Sequence, residues 1–285
     1  MGLIVVIGSV AGGYLMEGGK PLVLNQPAEF VIIGGSALGS LLIGTPPTVL
    51  KRLFGQLTKL LGSGAKKDDF VDLLAMQYQL FKLAQQSGVM ALETHFEAPE
   101  NSSIISKFPN FLSRHHAVDF LADSMKVIII GGISAHDLES LMDEDLDVQH
   151  HQAKGPAATL GKVADALPGL GIVAAVLGVV ITMGAIDGPP AEIGHKVGAA
   201  LVGTFLGILM SYGFTQPLAA SLESRVEQDA YYEQCLKSGV LAMYKGFPPM
   251  VSIEFARRVL PDEIRPSFEE TEALCKAARS EAAAA

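Results

Sequence analysis

Few residues in this chain are spaced to do chemistry. Histidines come as neighbours, His115-His116 and His150-His151. Adjacent residues on a helix point apart, so neither pair can chelate a metal as an i, i+4 pair does. Both pairs read as surface histidines. Asp143, Glu144, Asp145 and Asp147 form an acidic cluster that reads as a solvated helix face. Gly131-Gly132 follows an apolar stretch but lacks the third glycine and the strand–helix repeat of a dinucleotide site. Cys235 and Cys275 show no metal-ligand spacing and read as free thiols in a reducing compartment. No Ser/His/Asp or Cys/His arrangement has the motif context of a nucleophilic catalyst. Neither an enzyme nor a cofactor or metal is expected.

The more pointed chemistry concerns polar groups at membrane depth. Residues 166–186 and 197–222 are long apolar runs with no Asp, Glu, His, Lys or Arg, and their polar groups include Thr182, Thr204, Ser211, Thr215 and Gln216. A proton path needs an ionisable or hydroxyl group inside the bilayer. These two runs cannot supply a carboxylate relay, so either the chain conducts nothing or a partner brings the carboxylate. Gly171, Ala174, Ala175, Gly178, Gly203 and Gly207 are small enough to let helices approach closely. Ordinary helix–helix contact and packing around a partner helix both fit them. Pro168 and Pro217 sit at the inner ends of the two runs, and proline bends or ends a helix, so each reads by itself as a helix start or stop.

The elements that must position these groups are helices. Spanning a bilayer takes about 20 mostly apolar residues. Residues 3–16 form a short first run, and residues 28–49 a second one, interrupted by Glu29 at its start and Pro46-Pro47 near its end. A short first run is credible as a span because the second follows closely and the two can insert as a hairpin. The expected fold is an all-α integral membrane protein with four transmembrane helices plus a helical cytoplasmic domain. Its expected divisions are a transmembrane hairpin at 1–49, a cytoplasmic helical domain at 50–165, a second hairpin at 166–222 and cytoplasmic C-terminal helices at 223–285.

Basic residues near span ends set the orientation. Lys20 and Lys196 are the only ones in the short turns, against Lys51, Arg52, Lys59, Lys66, Lys67, Lys154, Lys162 and Arg225 on the other side. Both termini are therefore expected in the cytoplasm. The N-terminus has no basic n-region, so no cleaved signal peptide is expected. A net charge of −9 argues against nucleic acid as a partner. The mean hydropathy of +0.35 suits a membrane bundle, with lipid around it, joined to a sizeable aqueous part.

In that aqueous part, Phe70, Leu73, Leu74, Met76, Leu80 and Leu83 recur at close to helical spacing over 68–86. Two further helices are expected at 111–130 and 135–150, separated by Gly131-Gly132. The fourth run should continue as helix over 223–244, broken by Phe247-Pro248-Pro249. A short helix is expected at 252–259, and the Ala-rich end should fray.

The wording of the second hairpin is specific. It reads Leu167-Pro168-Gly169-Leu170-Gly171-Ile172-Val173-Ala174-Ala175, then Val202-Gly203-Thr204-Phe205-Leu206-Gly207, then Gln216-Pro217-Leu218-Ala219. With Gly12-Gly13-Tyr14-Leu15-Met16, Gln26-Pro27-Ala28-Glu29, Ala91-Leu92-Glu93, Leu141-Met142-Asp143-Glu144 and Ile253-Glu254-Phe255-Ala256-Arg257, it resembles the MotA family over nearly the whole chain. That family, related to ExbB and TolQ, comprises ion-channel subunits of the bacterial flagellar stator in the inner membrane. The resemblance implies a partner, MotB, whose single transmembrane helix carries an essential Asp. It further implies five copies of this chain around two of MotB, with passing protons driving rotation against the rotor protein FliG.

The resemblance also assigns residues. Pro168 and Pro217 match prolines that couple ion passage to conformational change. Gly171, Ala175, Gly203 and Thr204 are the expected lining of the ion path. Sodium-driven relatives carry Thr at the positions of Ala175 and Gly203. Here only Thr204 offers a side-chain oxygen, so H+ is the expected ion. Family members commonly meet FliG through an Arg and a Glu eight residues apart. Glu93 matches the Glu, but neutral Gln85 stands at the Arg position, and Lys82, on the same helical face, is expected to supply the positive charge.

Two alternatives remain. An ExbB/TolQ-like energiser of an outer-membrane process usually has three spans and an outward N-terminus, which four apolar runs argue against. A solute transporter predicts internal repeats and broken midplane helices with substrate groups. Neither is visible.

Overall fold

Proline and glycine punctuate a chain of helices. The computed structural model describes residues 1–60, 66–184 and 186–284, without the side chains of Lys59 and residues 278–284. The side chains of Lys59 and of the Ala-rich end therefore lie outside the described residues. The first helices are α1 (Gly2–Met16), α2 (Pro21–Leu24), α3 (Pro27–Gly44) and α4 (Pro47–Lys59). The last three each carry proline in the first turn, where its missing N–H costs nothing. Next come α5 (Lys67–Ser87), α6 (Glu93–Glu97), α7 (Pro109–Leu112) and α8 (His115–Ile130). In α5 the backbone N–H of Lys66 donates to Asp69 Oδ2 at 2.9 Å, and Gly88 at φ +84° ends the helix. Short 3₁₀ turns fill the stretch between α5 and α7. Gly131 and Gly132, at φ +77° and +80°, stop α8.

The long elements follow. They are α9 (Ala135–Met183), α10 (Pro190–Ile208), a π-helical segment (Leu209–Thr215), α11 (Gln216–Tyr244), α12 (Pro249–Arg258) and α13 (Phe268–Ala284). Here the structure corrects the sequence reading. The helix expected at 135–150 and the third apolar run are one helix of 49 residues, with Pro156 and Pro168 inside it. Pro168 is thus not a helix start. A proline removes one hydrogen bond and crowds one carbonyl, and a long helix tolerates this where neighbours make up the loss.

Among the described residues, three helical stretches are long and apolar enough to span a membrane: Pro21–Gly44, Ala135–Met183 and Pro190–Tyr244. At about 1.5 Å per residue, the 15 residues of α1 reach about 22 Å, short of a full bilayer core. Its Leu3, Ile4, Val5 and Ile7 are all exposed, as a lipid-facing helix requires. The described residues contain no strand. The architecture is all-α, membrane helices with a helical aqueous part.

The chain divides into two units. Unit 1 comprises residues 1–62 and 154–224, and unit 2 residues 63–153 and 225–285. Unit 1 has a small core of Ile33, Ala37, Leu167, Ala174, Val202 and Leu206, with a satellite of Leu53, Ala157 and Leu222. Its outer face is apolar, with Val180 62% and Leu201 65% exposed. Water would oppose such a surface, whereas lipid tails are its natural solvent. Unit 2 is built the ordinary aqueous way. Phe70, Leu73, Leu74, Met76 and Leu80 of α5 are buried together with Phe120, Tyr232, Leu236 and Ile253.

Polar contacts trim the surface of unit 2. Arg114 pairs with Asp229 at 2.9 Å and Asp69 at 3.5 Å, and its guanidinium lies 4.4 Å from the Tyr232 ring centroid. The acidic cluster is exposed as expected, although Asp143 also pairs with Lys237. His115, His116 and His151 are exposed, and His150 lies 3.6 Å from Glu227. Both cysteines are free and buried.

Candidate functional site

In unit 1, α9 and α10 meet backbone to backbone. A Cβ added at Gly171 would lie 2.9 Å from Gly203 O, and one at Gly207 would lie 2.7 Å from Leu167 O. One at Gly178 would lie 2.7 Å from the Cβ of Ala200. Real side chains do not fit at these distances, so the glycines are what allow the contact. Gly171, Gly178, Gly203 and Gly207 thus serve close contact between helices of one chain. Among the expected lining residues, Gly171 and Gly203 are buried in that seam, whereas Ala175 and Thr204 are half-buried beside it. At Gly171 and Gly203 the facing helix lies directly against the backbone.

The seam also holds a group that the sequence reading passed over. Glu29, in the first turn of α3, is 7% exposed, and its Oε2 has no hydrogen-bond partner among the described residues. A Cβ added at Gly203 would lie 2.6 Å from that oxygen. A carboxylate in an apolar bundle is costly and is a functional candidate by default. In the sequence it looks like an acid at a helix start, where the dipole favours one. Only the packing of α3 on α10 brings it to Gly203.

Pro217 stands just after the π-helical segment. The wider turns of that segment take up the proline ring, and Thr215 Oγ1 donates to Met210 O at 2.8 Å. Pro217, like Pro168, lies within continuous helix, since Pro190–Tyr244 runs unbroken. From the same π-helical segment, Ser211 Oγ donates to Ala164 O of the facing helix α9 at 2.7 Å.

The expected rotor contact lies in unit 2. Gln85 is exposed near the end of α5, and Glu93 is exposed at the start of α6, with the Gly88 turn between them. Leu92 and Phe96 are buried one helical turn apart, which turns Glu93 outward. Lys82 is half-buried. Neither Lys82 nor Glu93 makes an ion pair among the described residues. Behind this surface, Ser102 Oγ accepts the N–H groups of Ile104 at 3.2 Å and Ile105 at 3.0 Å. Its own proton is then left for His95 Nδ1, 2.6 Å away. Burial holds the His95 pKa below its usual value. No cluster of side chains suited to a metal is found among the described residues.

Comparison with known proteins follows this geometry. A family model described as Motility protein A N-terminal matches residues 1–88, and one described as the MotA/TolQ/ExbB proton channel family matches residues 113–234. Motility protein A of Salmonella typhimurium is 40% identical over 281 residues, covering 98% of this chain and 95% of that protein. Chemotaxis protein LafT of Vibrio parahaemolyticus is 37% identical over 273 residues, covering 95% of this chain and 96% of that one. The structure of C. jejuni MotAB aligns at a TM-score of 0.76, with 20% identity, over 93% of this chain and 96% of that one. The flagellar MotAB stator complex from Bacillus subtilis aligns at 0.71, with 24% identity and the same coverage. The two solved structures share the fold. This chain belongs to the motility protein A family, within the MotA/TolQ/ExbB proton channel family. It is an inner-membrane protein that serves as a flagellar motor stator subunit.

Proposed function

We propose that this chain joins a MotB-type partner to form a proton channel, and that proton flow through it turns the rotor through FliG. The observation that carries the reading is the seam of unit 1. It presents the carboxylate of Glu29, whose Oε2 has no hydrogen-bond partner among the described residues, beside half-buried Thr204 and Ala175, and the described α9–α10 contact has no further ionisable group. Such a site is incomplete as a relay and needs a carboxylate from a second helix. Both solved neighbours are MotAB assemblies, which supports MotB as that source. Five copies to two of MotB is the ratio that the family resemblance favours.

Protons are favoured over sodium because sodium wants several oxygens around it, as hard cations do. Ala175 and Gly203 provide none from side chains, which leaves Thr204 and the Glu29 carboxylate. Unit 2 is assigned to the cytoplasm with both termini, from the excess of Lys and Arg on that side. Glu93, outward and unpaired, is the charge offered to FliG, with Lys82 and Gln85 on the preceding helix.

Two experiments test the proposal. Single cysteines at Gly18 and Asp187 should react with a membrane-impermeant thiol reagent from outside, and one at Lys66 should not; the reverse pattern defeats the orientation. Expressed alone, the chain should give no proton flux, and co-expressed with MotB it should purify with more copies of itself than of MotB. A conducting complex without MotB would overturn the reading.

A further inference from the structure

Pro168 leaves a carbonyl without its usual donor. In an α-helix the N–H of residue i donates to the carbonyl of residue i−4, and proline has no N–H. Ala164 O therefore has no intrahelical partner at that position. Within a membrane bundle a carbonyl freed in this way needs a donor from its surroundings, and Ser or Thr side chains are among the groups that supply one. The donor is Ser211 Oγ, 2.7 Å away on the facing helix. Ser211 and Ala164 are both wholly buried.

The placement of Ser211 gives this bond more than a local role. Other hydroxyls in unit 1 fold back onto their own helix: Thr182 Oγ1 donates to Gly178 O, and Thr159 Oγ1 to Gly155 O. Ser211 crosses to α9 instead, at the point where proline breaks that helix's ladder. It belongs to the π-helical segment that leads to Pro217. On one side of it Gly207 packs against Leu167 O, and on the other Gln216 Nε2 reaches Asp165 Oδ1 at 3.4 Å. The break at Pro168 and the wide turns before Pro217 are thus pinned to each other by one buried hydrogen bond.

We propose that Ser211 is a positioning residue of the ion-driven cycle: it couples α9 at the Pro168 gap in its hydrogen-bond ladder to the π-helical segment before Pro217, so that the two helices move together. The coupling role rests on the stator reading, while the bond it uses does not. Removing the hydroxyl orphans a buried carbonyl and lets the two helices bend independently. An interhelical bond of this kind changes the unfolding equilibrium roughly three- to tenfold.

The test is a mutant cycle on the full complex with its partner. Ser211→Ala should leave membrane assembly intact, lower stall torque several-fold and raise the unfolding constant of the purified complex roughly three- to tenfold. Pro168→Ala restores an N–H for Ala164 O, so Ser211→Ala on that background should change the unfolding constant little. Ser211→Thr and Ser211→Val add equal bulk and differ in the hydroxyl; torque should survive in the first and fall in the second. That pair decides the matter if Pro168→Ala fails to assemble. Equal torque in the Thr and Val variants, or an equal loss from Ser211→Ala on both backgrounds, overturns the inference. A strain that swims without this chain defeats the stator reading instead, and leaves the unfolding cycle to stand or fall by itself.

Discussion

The carboxylate of Glu29 occupies the space where a side chain at Gly203 would begin, since a Cβ built there falls 2.6 Å from Glu29 Oε2. The same Cβ would lie 3.2 Å from both Ala174 Cβ and Ala175 N, so it has no free direction. Glycine at 203 is therefore the condition for both the tight α9–α10 seam and the position of the acid. Gly203→Ala should separate the helices or expel the carboxylate. Swimming speed should fall by more than half while the protein still reaches the membrane. Glu29→Gln keeps the shape and removes the titratable group, and it should lower proton flux with assembly unchanged. Normal flux in Glu29→Gln would remove Glu29 from the path.

His95 gives the unit 2 fold a dependence on pH. Burial lowers its pKa, and Ser102 keeps Nδ1 as an acceptor. The folded state then binds fewer protons than the unfolded chain as pH falls through the ordinary histidine range near 6.5. The contribution is complete above that value and is lost as pH falls toward the lowered folded pKa. Unfolding followed from about pH 8 to about pH 5 should show this acid-side loss, and His95→Gln should reduce it. An unchanged slope in the variant would mean that other groups set it.

Arg257 and Glu254 form a clasp that the sequence motif conceals. Arg257 Nε donates to Glu254 Oε2 and Nη2 to Oε1, both at 2.8 Å, while Nη1 donates to Pro266 O at 2.9 Å. These bonds, and those of Arg258, hold the Glu254 carboxyl at about 2. The clasp fixes α12 to the segment that leads into α13. Arg257→Ala should destabilise the fold by about 1–3 kcal/mol, and Arg257→Lys should recover only part of that because ammonium cannot match the fork. Chemical denaturation of the solubilised protein measures both; a lysine variant as stable as the parent would show that the bidentate geometry adds nothing.

The proposed rotor surface should respond unequally to its two charges. Glu93 is exposed and makes no ion pair among the described residues, whereas Lys82 is half-buried, so Glu93→Lys should reduce torque more than Lys82→Glu does. The double reversal should reduce it further with assembly and proton flux intact, and opposite reversals on FliG should restore part of it. If the double variant swims normally, the contact lies elsewhere, and residues 143–147 are the next to reverse.

Much of this was legible from residue types. The stripe Phe70, Leu73, Leu74, Met76, Leu80 and Leu83 announced a buried helix face because its period depends on local geometry alone; the first five are buried and Leu83 is partly buried against them. The apolar runs showed where lipid had to be. The continuity of α9 was hidden because Pro156 and Pro168 signal breaks locally, and the groups that make a break tolerable come from elsewhere, as Ser211 does for Ala164. Glu29 was overlooked for a similar reason. At the start of α3 it looks like a helix-dipole acid, and its meeting with Gly203 exists only in the packed structure. The glycines announced close approach but not which helix approached.

Rotation of tethered cells tests the central claim most directly. A strain lacking its own stator would be given this chain with MotB and observed in sodium-free medium at fixed proton-motive force. Rotation should continue at full speed without sodium and cease when the proton gradient is collapsed. Rotation that stops on sodium removal, or that persists after the proton gradient is gone, would contradict the proton-driven stator described above.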